Sequence, residues 1–252
     1  MSPFRKRHGK QSLVMITAEL LSKYSLPEEQ ARSAIEVAIA RTLTREMQIS
    51  FSVKYDGKLE ITAFHTHGKP AVIPAEAINK KLFRHVRYQV ELELQKRQAL
   101  FEAEQLKQLR GVNVTGQISR ILIDGTLVVT LEIADLFRCL ILSGECQVPF
   151  QPPRERGLYR IGQVLEFYVT KVVAIAAGHW SARVHIRLSR TARDLPARLL
   201  RERTGINGIS CRRRIAGAFS DIVSTARIPK EAIVAVGKEL GEHLNVFVEQ
   251  AV

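Results

Sequence analysis

Residues 111–133 read GVNVTGQISRILIDGTLVVTLEI, and the chain changes its periodicity there. Between Pro74 and Arg110 apolar residues recur at helical spacing, whereas after Gly111 they alternate with polar ones, as strands with one face in a core require. Val114 to Ile123 and Leu127 to Ile133 are the first two strands, with Asp124-Gly125 as the hairpin turn between them. Phe137 to Leu142, Val164 to Val173 and Ala182 to Leu188 continue the series. An irregular insertion rich in Pro, Arg and Gly, from Pro149 to Gly162, precedes the fourth strand.

Five short strands in about 80 residues suit a small Greek-key barrel of the OB type, with an SH3-like barrel as the structural alternative. Upstream, the 37 residues from Pro74 to Arg110 are rich in Ala, Leu, Glu, Gln, Lys and Arg and read as one long helix. It would reach roughly 55 Å at 1.5 Å per residue, more than a small domain needs, so its later half reads as a connector. Phe83, Val86, Val90, Leu94 and Phe101 form a stripe on it, but Arg84, Arg87, Lys96 and Arg97 interrupt the sustained heptads of a self-pairing coil.

Further upstream, Leu13, Ile16, Leu20 and Leu21 recur at helical spacing, and Pro27 with Glu28 and Glu29 opens a helix carrying Ala31, Ala34, Ile35, Ala38, Ile39 and Leu43. Ile49 to Tyr55 and Leu59 to Ala63 alternate around Asp56-Gly57 and read as a hairpin. Downstream of the barrel, Thr191 is a candidate cap for a helix through Leu195, Leu199 and Leu200 that stops at Gly205. Ile209 to Ala216 reads as a strand, Pro229 starts a helix with Ile233, Val236 and Leu240, and Leu244 to Val248 closes the chain as a strand. The fold class is therefore multidomain α/β (α+β): residues 1–110, 111–190 and 191–252.

The charge is uneven in sign but even in distribution. Lys and Arg number 38 against 25 Asp and Glu, a net charge of +13, and basic residues exceed acidic ones in all three segments. Such an excess attracts polyanions through the long-range field and counterion release, and nucleic acid is the leading partner class. The three cysteines, Cys139, Cys146 and Cys211, are odd in number and lack C-x-x-C spacing, which argues against a disulfide framework and a zinc cluster and fits a reducing cytoplasm. No apolar run approaches a membrane span, and the basic start followed by a run broken at Glu19 and Lys23 does not read as a secretory signal.

Chemistry-bearing patterns are sparse. There is no G-x-x-x-x-G-K-[ST], no G-x-G-x-x-G after a strand and no G-x-S-x-G, so nucleotide hydrolysis and acyl transfer lose their usual signatures. His65 and His67 lie on one face of an extended segment without a carboxylate or Cys to complete a metal set, and His179 and His185 lack a partner at a recognisable spacing. No cofactor and no enzymatic role is expected.

The order of parts resembles the NusA transcription elongation factor family, whose members join an N-terminal polymerase-binding domain, a long connecting helix, an S-one-type OB barrel and KH domains. The stretches that carry the resemblance are Gly111-Val112-Asn113-Val114-Thr115-Gly116-Gln117-Ile118, Tyr159-Arg160-Ile161-Gly162-Gln163-Val164, the exit Leu188-Ser189-Arg190-Thr191 with Leu199-Leu200-Arg201-Glu202, and Lys238 to Val246. The resemblance implies a cytoplasmic protein that binds RNA polymerase and nascent single-stranded RNA, with other transcription factors as further partners, and modulates elongation, pausing, termination or antitermination. The chain departs from the family in two ways. Where a KH domain has its GXXG loop, this sequence reads Arg227-Ile228-Pro229-Lys230, and one KH-like module stands where the family usually has two.

The candidate nucleic-acid contacts are Lys96 and Arg97 on the long helix near Lys107 and Arg110; Arg120, Arg138, Arg154, Arg156, Arg160 and Tyr168 in the barrel; Arg190 at its exit; and Arg212, Arg213, Arg214, Arg227 and Lys230 in the last segment. Among the barrel's aromatics, Phe137, Phe150, Tyr159, Phe167, Tyr168 and Trp180, adjacent Phe167 and Tyr168 must face opposite ways, and an outward ring is what a stacked base needs. The same pattern leaves two other readings: a free-standing RNA or single-stranded DNA binding protein without polymerase contact, and a protein-interaction module.

Overall fold

The computed structural model describes residues 20, 23–56, 58–64, 69–74, 78–135, 138–175 and 182–249. Within them the chain is mixed α/β and divides into two compact units, one within Met1–Glu104 and Ala174–Val184, the other Gln105–Val173 with His185–Val252.

In the first unit, helix α1 (Glu28–Met47) follows Pro27, whose fixed φ presets the first turn, and buries Ala31, Ala34, Ile35, Ala38, Ile39 and Leu43. These residues cover a three-stranded antiparallel sheet, β1 (Ser50–Tyr55), β2 (Leu59–Phe64) and β3 (Ala71–Ile73), in the order β1-β2-β3. Phe51, Val53, Ile61 and Ala63 face the helix. The strand β3 has no counterpart in the pattern read from sequence, because three residues between Pro70 and Pro74 are too few to show alternation. The long helix α2 runs Lys80–Gln105, and a 3-10 turn, Leu106–Leu109, follows it. Val86, Val90 and Leu94 of the expected stripe enter the same core as α1, so that stripe is used within the unit. The earlier helical pattern at Leu13, Ile16 and Leu21, and His65, His67, Phe137, His179 and Trp180, lie outside the described residues.

A closed five-stranded barrel follows, built from β4 (Asn113–Ile121), β5 (Leu127–Asp135), β6 (Arg138–Cys146), β7 (Val164–Ile175) and β8 (Arg183–Ser189). Around the barrel the order is β4-β5-β6-β8-β7. β6 and β8 run parallel, whereas β4 closes the barrel against β7 antiparallel. Ile118, Leu127, Val129, Leu131, Phe167 and Leu188 fill the interior. Gly116 is dictated by that packing, since a Cβ there would meet Val129 at 2.4 Å and Leu131 at 2.8 Å.

The remaining chain forms helix α3 (Leu195–Thr204), strands β9 (Ile209–Ile215) and β10 (Phe219–Ser224), helix α4 (Lys230–Leu240) and strand β11 (His243–Val248). α3 ends on Gly205 at φ 71, where the absence of a Cβ removes the left-handed penalty. Thr191 does not cap it: the residue before the helix is Asp194, without a side-chain cap, and Thr191 instead engages Ser189. The sheet order is β11-β10-β9, with β10 antiparallel to β9 and parallel to β11. Its inner face, including Ile209, Cys211, Ile222 and Leu244, joins Leu195, Leu199, Leu200, Val236 and Leu240 of the helices in one core. β10 shows no inward apolar alternation in the sequence, because its inward residues are Ser220, Ile222 and Ser224 while Phe219 and Val223 face outward.

Candidate nucleic-acid interface

The chain leaves β8 at Arg190, the residue that the exit motif placed among the candidate contacts. Its guanidinium is 2% exposed and is fully engaged: Nε and Nη2 donate to the two carboxylate oxygens of Glu155 at 2.7 and 2.9 Å, and Nη1 donates to the Glu166 carbonyl and the Glu239 carboxylate. Nη2 also donates to the Glu239 carbonyl at 3.1 Å. Burial works against its charge, but the hydrogen bonds and charge of Glu155, with Glu239 behind, overcome this and hold the pKa above the ordinary arginine value. Nearby Tyr159 donates to Glu155 at 2.6 Å, and burial followed by that carboxylate raises its pKa. The Cys146 thiol beneath is pushed up to about 12 by burial, which leaves it without thiolate character at neutral pH.

Arg214 repeats the arrangement one layer away. It lies on β9 facing inward, 2% exposed, with Nε and Nη2 on the Glu242 carboxylate and Nη2 on the carbonyl of Arg190 at 2.8 Å. Nη1 donates to the carbonyl of Ala192. Glu242 is 0% exposed at its side chain and accepts in addition from the Gly217 amide at 2.9 Å and the Ser220 hydroxyl at 2.6 Å. Arginine–carboxylate pairs with further hydrogen bonds to the carboxylate are the geometry in which a buried charge is tolerated. Arg190 and Arg214 thus join the barrel to the α3–β11 module and are withdrawn from any surface that a ligand reaches.

Tyr168 has a similar fate. Phe167 points into the barrel, fully buried, and Tyr168 outward, as alternation requires, but the outward ring packs on the core of the last module with Arg198 5.8 Å over it. It is partly buried against protein.

Of the candidate cations, those that remain exposed in the second unit are Arg120 on β4, Arg154, Arg156 and Arg160 in the loop between β6 and β7, Arg212 and Arg213 on β9, and Arg227 and Lys230 around the start of α4. The loop is firmly built. Buried Gln151 donates to the carbonyls of Gly125 and Cys146, Arg156 donates back to the Gln151 carbonyl, and Glu155 is the carboxylate that clamps Arg190. Glycines at 157 and 162, with φ 78 and 87, turn it, and Leu158 and Ile161 stand exposed between the arginines. At Gly217, in the β9–β10 turn, a Cβ would lie 3.3 Å from that of Pro152 and 3.7 Å from that of Arg154, so the loop abuts the turn.

The β9 arginines are split by a bulge. Pairing passes from Arg213↔Asp221 directly to Cys211↔Ile222, which leaves Arg212 with no residue opposite and lets it project with Arg213 while Arg214 turns inward. Sequence alternation alone allowed two of the three on one surface. Lys96 is exposed on α2 in the first unit, and Arg97 beside it pairs with Glu93 at 3.4 Å. The side chain of Arg138 lies outside the described residues.

Among the described residues no group of three or more His, Cys, Asp or Glu is arranged to hold a metal. His185, without a recognisable partner in sequence, is nearly buried and meets Glu145 at 2.8 Å. No described helix is long and apolar enough to cross a membrane. No protein-family model matches the chain, and no curated protein sequence matches it closely enough to count as a relative.

Proposed function

We propose that the chain is a non-enzymatic nucleic-acid-binding factor of the NusA-like kind, with an OB-type barrel and a degenerate KH-like module, that contacts RNA polymerase and nascent single-stranded RNA in the cytoplasm. The observation that carries this reading is the pairing of a barrel order with a basic loop. The five strands close in the order first, second, third, fifth, fourth, with the third and fifth parallel, which is the connectivity the OB reading requires, and Arg154, Arg156 and Arg160 are exposed on the loop before its fourth strand. OB barrels hold single strands by such basic, irregular rims.

The final module supports the KH-like reading through its α-β-β-α-β order and departs from it at the expected clamp. Five residues separate β10 from α4, so no helix precedes Arg227-Ile228-Pro229-Lys230; Ile228 is buried and Arg227 and Lys230 are exposed. Phosphate contact there is by side-chain charge, not by close backbone approach. The factor acts by population shift, favouring one RNA or polymerase conformation through differential contacts.

The test is co-purification of the full chain with core RNA polymerase, together with fluorescence anisotropy on a labelled single-stranded RNA. Retention of both supports the proposal. RNA binding without polymerase retention moves the protein to a free-standing RNA or single-stranded DNA binder, and retention of a specific protein with no nucleic-acid binding makes it a protein-interaction module.

A further inference from the structure

The three-stranded sheet of the last module has two faces, and helices α3 and α4 cover only one of them. The pleat sends alternate residues to the other face: Ile215 and Arg213 on β9, Phe219, Asp221 and Val223 on β10, and His243, Asn245 and Phe247 on β11, in the registers Ile215↔Phe219↔His243, Arg213↔Asp221↔Asn245 and Val223↔Phe247. Phe247 is 50% exposed and Ile215 45%. A soluble sheet face exposed in this way usually carries polar residues, yet here two phenyl rings and two aliphatic side chains stand on it.

From this face we infer that the open side of the β9–β11 sheet is a stacking platform for unpaired bases of a single-stranded nucleic acid, with Phe219 and Phe247 as its two ring surfaces and Arg212, Arg213 and Arg154 as the cationic border along which the phosphates run. The inference rests on the nucleic-acid reading above and adds the site at which bases, rather than phosphates, are held.

Four observations select this occupant. Arg213 lies 5.5 Å over the Phe219 ring in a cation–π contact, so a charge that can neutralise a phosphate borders the ring itself. The bulge frees Arg212 from cross-strand pairing at the open edge of the sheet. The Gly217 turn sets Arg154 of the barrel loop beside the end of the sheet that carries Ile215 and Phe219, so the border of charge continues from the barrel onto the module. The one carboxylate on the face, Asp221, stands opposite Arg213 and accepts from Asn245 at 2.8 Å, which places a donor and an acceptor between the rings, where a base edge and not a phosphate would lie. Phe219 and Phe247 are four residues apart along the strand direction, about 13 Å at about 3.3 Å per residue, and therefore serve separate bases.

The experiment compares the full chain with F247A, F247L, F247Y and the loop variant R154A/R156A/R160A, by anisotropy of a fluorescein-labelled single-stranded RNA across a salt series. Circular dichroism and thermal unfolding show that each variant is folded. Stacking contributes about 1–3 kcal/mol per base, so F247A and F247L are expected to weaken binding by about fivefold or more with the salt slope unchanged, while F247Y retains wild-type affinity. Irradiation with 4-thiouridine RNA should place crosslinks on the peptides that contain Phe219 and Phe247. If F247A binds within twofold of wild type and these peptides carry no crosslink, while the loop variant still loses affinity, the platform is overturned and the nucleic-acid reading stands. If the wild-type chain binds no RNA or single-stranded DNA, both fall together.

Discussion

Two groups of arginines lie beside each other in the second unit and behave oppositely. At the seam, Arg190 and Arg214 are 2% exposed and each holds a carboxylate and backbone carbonyls. In the neighbouring loop, Arg154, Arg156 and Arg160 are exposed, and the one side-chain bond among them returns to the loop's own backbone. The difference does not lie in the arginines but in the carboxylates. Glu155, Glu239 and Glu242 converge on the seam because the loop, the end of α4 and the start of β11 meet there, and none comes near the loop's outer side. Guanidinium in the first setting is a structural fastener. In the second it is exposed charge, which the proposed interface would use to hold a polyanion.

That contrast is open to direct attack. The largest effect is expected at the seam: R214A or E242A leaves a buried partner charge and should lower stability by about 3–5 kcal/mol in urea or thermal unfolding. R190M should fall in the same range, because Glu155 and Glu239 lose a shared cation. The Gly217 turn, at φ 78 and tied to Glu242, comes next. G217A is expected to cost about 1–2 kcal/mol through left-handed strain and the contact with Pro152.

The loop should show the reverse profile. R154A/R156A/R160A should change stability by no more than about 0.5 kcal/mol per site, while RNA affinity drops and the salt slope flattens by up to about 0.7 per lost phosphate contact. An unchanged slope would remove the loop from the interface and end the contrast on its functional side. Smallest of all is T191A. A functional helix cap would cost about 1 kcal/mol, whereas a residue that only engages Ser189 should cost about 0.5 kcal/mol or less, because the exit is held by the arginines that flank it.

Much of this arrangement was readable in the residues, and the reasons for the remainder are specific. The barrel strands, the helix beginning at Pro27 and the stop at Gly205 announce themselves because alternation, a preset φ and a left-handed residue are local properties. β10 escaped because its inward positions are occupied by Ser220 and Ser224, which are satisfied by the Glu242 carboxylate and the Ala226 carbonyl, so the hydropathy pattern runs opposite to the burial. The seam escaped for a related reason. A run such as Arg212-Arg213-Arg214 reads as a solvated face, and the acid that buries Arg214, Glu242, lies 28 residues away in the chain. The bulge at Arg212, which decides which arginines point out, depends on cross-strand register and leaves no mark on β9 itself.

Arg214 grips the carbonyls of both Arg190 and Ala192, the residues over which the chain passes from one body to the next. A connector whose carbonyls are taken up in this way has no joint. Tension applied along β11 is delivered through Glu242 and Arg214 to the root of β8 instead of being absorbed by swivelling, so the barrel and its appended sheet turn together, as a lever turns about its fulcrum.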